Sequence, residues 1–146
     1  MKNQNERFID NAIAWAERQL GRDDYCFRCL AFVEDAYETA NAIEIFGGSS
    51  AKESADEYGV AGNTTDAPPR GAFVFYDMTG EITGDRANYG HVGLHLGDGR
   101  IIHAWDEVRI DSLEALEELE PAEGWTQPRY IGWAPVERIL EGYRVK

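Results

Sequence analysis

The chain has 146 residues, of which 43% are hydrophobic and 12% are aromatic. This length and composition predict one globular domain, residues 1–146, with a core large enough to need no disulfide bonds. Its formal net charge of -13 repels nucleic-acid backbones and anionic membrane surfaces, so nucleic-acid binding is excluded as an expected function.

The sequence carries no pattern typical of a membrane segment or a secretory signal. MKNQNERFIDNAIAWAERQLG lacks a basic region followed by a continuous apolar run, and no apolar stretch approaches bilayer length. We therefore expect no membrane insertion, and either a cytoplasmic location or export by a non-classical route. Nothing in the sequence specifies the oligomeric state.

The first half of the chain is predicted to be helical. Apolar residues recur at helical spacing over residues 5–20, which predicts a first helix closed by Gly21. After the polar loop RDDYCF, the run CLAFVEDAYETANAI predicts a second helix that begins at Cys29. Cys29 is expected to lie on the side of this helix that faces the core. Gly47 and Gly48 are expected to end the helix.

A third helix and then a series of strands follow. SSAKESADEYG predicts a short helix with Ser50 as its N-cap and Gly59 as its stop. AFVFYD predicts a strand, and HVGLHLG and RIIHAW predict two strands joined in a hairpin around GDG. DEVRID either continues the hairpin or adds a strand.

The C-terminal part predicts one more strand between two short helices. SLEALEEL is an acidic helix that Asp111 and Glu114 are expected to cap, RYIGWAP is a strand, and VERILEGY is a closing helical turn. Helices first and antiparallel strands afterwards predict an α+β fold, with the N-terminal helices packed on one face of one sheet.

Three histidines, His91, His95 and His103, fall on the predicted hairpin, and the length of its loop decides which of them meet. A two-residue turn would place His91 and His103 on opposite faces of the sheet. A three-residue loop over 97–99 pairs Gly93 with His103 and makes His91 and His103 diagonal neighbours on one face. Because Gly93 leaves room for an imidazole, we predict the three-residue loop.

Cys29 stands at the predicted start of a helix. There the helix dipole favours a thiolate, and a nearby imidazolium lowers the thiol pKa further. An imidazole beside such a thiol can carry its proton, and a second polar group can fix the orientation of that imidazole. Cys29, His91 and His103 are therefore candidates for these three roles.

These residues lie in segments that resemble a known family. CLAFVEDAY is similar to the helix that opens with Cys-Ser-Gly-Leu-Val in the NlpC-type cysteine peptidases, which belong to the papain-like superfamily and are related to CHAP amidases. GHVGLHLGDGRIIHA is similar to that family's hairpin of catalytic residues, and APPRGAFVFYD resembles the strand that precedes it. The resemblance extends over about residues 10–105.

The resemblance implies a papain-like fold and a cysteine peptidase or amidase that requires neither a cofactor nor a metal. It assigns Cys29 as the nucleophile, His91 as the base and His103 as the residue that orients the base. Tyr25 is the nearest candidate for the family's oxyanion-stabilising tyrosine. Cleavage in the family is most often of a γ-D-glutamyl to diamino-acid bond in bacterial peptidoglycan stem peptides, and relatives act on other peptide or acyl substrates.

Two side chains near the candidate nucleophile are candidates for substrate contact. The family usually has Asp before its cysteine and Ser-Gly after it, where this chain has Arg28, Leu30 and Ala31. Arg28 is expected to favour the thiolate or receive a substrate carboxylate, with simple surface exposure as the alternative. Trp105, two residues after His103, is expected to line the cleft.

Two other functions remain compatible with the residues. A catalytically inactive binding module of the same fold would account for the unusual residues that flank Cys29. A thiol-disulfide redox protein would use Cys26 and Cys29, although that class places a strand before the motif, where this chain has a helix and a polar loop. A disulfide between the two cysteines would also switch a nucleophile off.

The remaining candidate residues have simpler interpretations. Cys26 is expected to be a small core residue. The two cysteines and the pair His91 and His95 contain the halves of a zinc site, but on a strand these histidines are about 13 Å apart, too far to bind one ion comfortably. His95 is expected to be a satisfied polar residue or a contact at the margin of the site.

Overall fold

The computed structural model describes residues 2–146, and this range contains five α-helices. They are α1 (Gln4–Glu17), α2 (Cys29–Asn41), α3 (Ala51–Tyr58), α4 (Leu113–Leu116) and α5 (Val136–Ile139). The predicted start of α2 and both ends of α3 are confirmed: the Ser50 side chain accepts a hydrogen bond from the Glu53 N–H, and Gly59 ends α3 in a left-handed conformation. None of the five is long and apolar enough to cross a membrane.

The first two helices end earlier than predicted. α1 ends at Glu17, and the chain continues only in turns as far as Gly21. α2 ends at Asn41 because Ala42 adopts a left-handed backbone conformation, with φ at 52°. The chain then enters a two-residue strand that pairs with residues 144–145, a contact that no local sequence pattern indicates.

Residues 2–146 also contain nine strands. They are β1 (Ile43–Glu44), β2 (Phe73–Asp77), β3 (Thr79–Ile82), β4 (Asp85–Asn88), β5 (His91–His95), β6 (Arg100–Ala104), β7 (Val108–Ser112), β8 (Arg129–Ala134) and β9 (Arg144–Val145). The main sheet has the order β7-β6-β5-β2-β8, and all its pairs are antiparallel. The predicted α+β class is confirmed, whereas the β3–β4 hairpin and β9 were not predicted.

The main sheet separates two hydrophobic clusters. Helices α1, α2 and α3 pack on one face, against Phe73, Phe75 and Leu94. The other face carries a smaller cluster, in which Val74 and Ile101 meet Leu116 of α4. The predicted packing of the N-terminal helices on one face is therefore confirmed, and the short α4 covers part of the opposite face.

The hairpin of β5 and β6 has the predicted three-residue loop. Leu94 lies opposite Ile102, a register that brings Gly93 opposite His103. A Cβ atom on Gly93 would lie 3.0 Å from the Cβ atom of His103. Because Gly93 has no side chain, the side chain of His103 has room on this face of the hairpin.

Helix α4 begins differently from the prediction. Its N-cap is Ser112, whose hydroxyl accepts a hydrogen bond from the Ala115 N–H at 3.0 Å. The prediction that Asp111 caps this helix together with Glu114 is wrong. β7 extends through Asp111, and the carboxylate of that residue is hydrogen-bonded to His103 instead.

Candidate active site

A cavity of about 1250 Å³ lies where the N-terminus of α2 meets the start of β5 and the end of β6. Cys29, His91, Arg28 and Trp105 all line it. The candidate nucleophile and the candidate base therefore line the same cavity, together with two residues that were predicted to contact the substrate. Tyr25 is not among the residues that line it.

Cys29 is the first residue of α2, and it is half-buried. The backbone N–H groups of Val92, Leu30 and Cys29 itself lie near the thiol and favour its charged form. Val92 directly follows His91 in β5, so the thiol lies beside the strand that carries the candidate base. Burial outweighs the effect of these N–H groups and raises the pKa of Cys29 to about 11.

This pKa differs from the sequence-based expectation that the thiolate would be favoured. Removal of the sulfur from water disfavours its charged form, and this effect is larger than the contribution of the nearby backbone N–H groups. His91 is also buried, and burial lowers its pKa well below the usual value. The environments of Cys29 and His91 therefore favour a neutral thiol and a neutral imidazole before a substrate binds.

His91 is hydrogen-bonded to His103. Nε2 of His91 lies 2.9 Å from Nδ1 of His103, and the two rings are nearly perpendicular, at 83°. His103 is fully buried; burial lowers its pKa, and the hydrogen bond to Asp111 opposes that shift. The predicted diagonal contact is present, and it uses only one of the two ring nitrogens of His91.

Asp111 extends these hydrogen bonds by one residue that the sequence analysis did not place in the site. Its Oδ2 atom lies 2.7 Å from Nε2 of His103 and 2.9 Å from Nε of Arg109. The hydrogen bond from His103 is the main reason that the pKa of Asp111 lies below its usual value. Asp111 pairs with Ile101 in the β6–β7 ladder, diagonal to His103. Arg109 and Asp111 alternate with apolar residues in VRID, so they lie on one face of β7. The position of Asp111 beside His103 could have been predicted only if the pairing of β6 with β7 had been predicted too.

The two aromatic candidates occupy different places. Trp105 packs against the His91 ring edge to face, with centroids 5.1 Å apart and an angle of 89°. The Tyr25 hydroxyl donates a hydrogen bond of 2.6 Å to Asp35, and its ring contacts Phe32 in the core. Trp105 therefore lines the cavity as expected, whereas the Tyr25 hydroxyl is committed to a carboxylate outside it.

The residues just before Cys29 form an exposed loop. Cys26 is exposed, so the prediction that it is a core residue is wrong. Phe27, which follows it, adopts a left-handed conformation with φ at 62°, and this turn leaves Cys26 outside the core. Both thiols are free. The Arg28 guanidinium is exposed and lies over the Tyr25 ring at 5.2 Å, beside the cavity.

One wall of the cavity is a row of aromatic rings. Phe27 and Trp125 have ring centroids 5.4 Å apart, and Trp125 and Tyr89 have centroids 6.0 Å apart. Trp125 lies directly on Gly80 of β3, where any side chain would overlap with the indole. Phe27 remains 59% exposed, although it is a large apolar side chain two residues before the nucleophile candidate. This wall, formed by Phe27, Trp125 and Tyr89, is called the aromatic wall below.

Glu34 of α2 also lines the cavity. Burial is the main reason that its pKa is raised to about 7, and repulsion from Glu38 and Asp35 adds to the shift. The cavity therefore contains a carboxyl group whose ionisation is disfavoured by its surroundings.

His95 lies outside this cavity. Its Nδ1 is 3.2 Å from the Pro69 carbonyl oxygen, and Nε2 is buried without a hydrogen-bond partner among the described residues. The expectation of a satisfied polar residue therefore holds for only one ring nitrogen. Within residues 2–146, no group of three or more His, Cys, Asp or Glu side chains is arranged to hold a metal ion.

Residues 16–119, more than two thirds of the chain, match the model of the NlpC/P60 family. The matched range includes Cys29, both histidines of the hydrogen-bonded pair, and Asp111. No curated protein is similar enough to this chain to count as a match.

Proposed function

Because the chain belongs to the NlpC/P60 family, whose members are typically cysteine peptidases or amidases, we propose that it hydrolyses an amide bond with Cys29 as the nucleophile and His91 as the base. The observation that carries the proposal is the shared cavity: Cys29 and His91 both line it, and the Cys29 thiol lies near the backbone N–H of Val92, the residue after His91. His103 orients the base through the 2.9 Å contact between the rings.

The reaction begins with the neutral pair. As the sulfur of Cys29 attacks the carbonyl carbon, its proton passes to His91 and a carbon–sulfur bond forms. His91 then gives this proton to the leaving amine while the carbon–nitrogen bond breaks. Water, deprotonated by His91, hydrolyses the thioester, releases the acid and restores the thiol.

The N-terminus of α2 supplies the donor for the oxyanion. Arg28, the N-cap, makes no side-chain hydrogen bond to the helix, so the first N–H groups are not satisfied by a cap. The N–H groups of Cys29 and Leu30 lie at this uncapped terminus, near the sulfur. We assign the Cys29 N–H as the main oxyanion donor, since the Tyr25 hydroxyl is bonded to Asp35.

The walls of the cavity favour a peptide substrate of mixed character. The aromatic wall offers apolar surface beside the nucleophile, and the exposed Arg28 offers a cation for a carboxylate. A peptidoglycan-type stem peptide carries both carboxylates and short apolar side chains. We therefore propose such a peptide, or a related one, as the substrate.

Cleavage of stem peptides tests this proposal. Purified protein is incubated with a γ-D-glutamyl diamino-acid peptide, and the products are followed by mass spectrometry. We expect cleavage by the unchanged protein and by a Cys26→Ala control, and none by Cys29→Ala. Cleavage that persists in Cys29→Ala contradicts the role of Cys29, and a peptide left intact by the unchanged protein contradicts the substrate.

A binding module of the same fold is the second candidate. The residues that flank Cys29 favour it, because Arg28, Leu30 and Ala31 stand where the family usually has Asp and Ser-Gly. In that case the unchanged protein and Cys29→Ala bind stem peptides with equal affinity, and neither cleaves them. Calorimetry on both proteins, beside the cleavage assay, separates this function from the first.

A further inference from the structure

The carboxylate of Asp111 ends the row of hydrogen bonds that starts at His91. Its Oδ2 accepts from His103 at 2.7 Å and from Arg109 at 2.9 Å, and its Oδ1 accepts from Nη2 of Arg109 at 3.3 Å. The side chain of Asp111 is only 11% exposed. Both oxygens are therefore held by donors, in a place with little access to water.

Donor and acceptor counting fixes the protons in this row. An ionised carboxylate can only accept hydrogen bonds, so the proton of a neutral His103 must be on Nε2, the atom that faces Asp111. Nδ1 of His103 then carries a lone pair and accepts the hydrogen bond from His91. The proton of His91 is consequently on Nε2, and its Nδ1 is unprotonated.

We propose that Asp111 is a positioning residue that fixes the tautomers of both histidines, so that His91 keeps a free lone pair on Nδ1 for the proton of Cys29. The inference deepens the proposed function, because it concerns the base of that reaction. Without the carboxylate, the reverse arrangement is equally allowed: a proton on Nδ1 of both rings would leave His91 unable to act as a base.

Arg109 contributes by fixing the carboxylate. Its guanidinium contacts both oxygens of Asp111 and also Asp106, at 3.3 Å. Guanidinium groups carry only donors, so Arg109 cannot replace Asp111 as the acceptor for His103. The structure thus assigns the role of acceptor to Asp111 alone among these residues, and Arg109 restricts its orientation.

The tautomers can be read directly from nitrogen NMR spectra of protein with labelled histidine. In the unchanged protein we expect both His91 and His103 to carry the proton on Nε2 near neutral pH. A spectrum in which Nδ1 of His91 carries it overturns the proposal, whatever the enzyme activity is. This readout separates the inference from the proposed function, which fails instead if Cys29→Ala still cleaves the peptide.

Two variants complete the test. In Asp111→Ala the tautomers are expected to become mixed, with kcat reduced on the order of 10²–10⁴-fold and KM little changed. Asp111→Asn is nearly isosteric and offers one donor group and one acceptor, so a mixture of histidine tautomers is expected there too. This variant keeps the test available if the alanine variant folds poorly. Asp98→Asn, in the exposed hairpin loop, is the matched control. It should leave the nitrogen signals of His91 and His103 and the value of kcat unchanged. Unaltered tautomers in both Asp111 variants overturn the proposal.

Discussion

Nε2 of His91 lies 2.9 Å from Nδ1 of His103, and both rings are buried. The second histidine is therefore part of the environment of the first, and its loss changes both the orientation of His91 and the packing around it. This relationship arises from the hairpin register, in which the loop over 97–99 brings Gly93 opposite His103.

Replacement of His103 by alanine is expected to lower kcat by roughly 10²–10³-fold, since His91 loses the group that orients it. The free energy of unfolding should fall by about 2–4 kcal/mol, because a buried side chain is lost and Asp111 loses a donor. Steady-state kinetics and urea unfolding measure the two effects. His95→Ala is the matched control: it removes a buried histidine from the same hairpin but outside the cavity, so it should reduce stability and leave kcat unchanged.

Gly93→Ala tests the space that the hairpin leaves for His103. The new Cβ would lie 2.3 Å from Cγ2 of Ile101 and 3.0 Å from Cβ of His103. We expect a loss of about 1–3 kcal/mol in the free energy of unfolding from overpacking, together with reduced kcat. Gly62→Ala, where a Cβ would have no neighbour within 4 Å, is the control. A Gly93→Ala protein with unchanged stability and kcat contradicts the described contact.

The buried histidines predict that acid destabilises the fold. Burial lowers the pKa of His91, His95 and His103, so below about pH 6.5 these three side chains bind more protons in the unfolded chain than in the folded one. Their stabilising contribution is complete above that pH and is lost as the pH falls. Urea unfolding at pH 7 and pH 5 measures the effect.

Glu34 acts in the opposite direction over part of this range. Its folded pKa is raised to about 7, so the penalty for its burial grows as the pH rises from about 4.5 to 7. Glu34→Gln removes that penalty, and the acid-induced loss of stability from pH 7 to pH 5 should then be larger than in the unchanged protein. An equal or smaller loss in Glu34→Gln contradicts the assigned burial of this carboxyl.

The aromatic wall is expected to affect substrate binding more than chemistry. Removal of the Phe27 side chain should raise KM and leave kcat nearly unchanged. Because Phe27 has a φ of 62°, Phe27→Gly should be more stable than Phe27→Ala by about 1 kcal/mol, the reverse of the usual order of these residues. Kinetics and thermal unfolding of the two variants test both points. Phe27→Ala at least as stable as Phe27→Gly contradicts the backbone conformation.

Local sequence patterns predicted the parts of the site that depend on local structure. The start of α2 at Cys29 followed from helical periodicity, and the meeting of His91 with His103 followed from strand parity and the loop length. Asp111 was missed because its role depends on the pairing of β7 with β6, a tertiary relationship.

The environment of the two cysteines could not be predicted from local sequence patterns either. A helix start predicts a low thiol pKa, yet the amount of burial at Cys29, which raises the pKa, is known only once the strands are packed around it. The exposed position of Cys26 likewise depends on the left-handed turn at Phe27, and no glycine marks that turn in the sequence.

The most direct test of the account is covalent labelling of the nucleophile. The protein is treated near pH 7 with a peptidyl chloromethyl ketone, and the labelled residue and the rate are determined by mass spectrometry for the unchanged protein, Cys26→Ala and His91→Ala. We expect the label on Cys29, at the same rate in Cys26→Ala and at least roughly 10²-fold more slowly in His91→Ala, because a thiol with a raised pKa needs the base. Labelling of Cys26 alone, or labelling of Cys29 at an unchanged rate in His91→Ala, would contradict it.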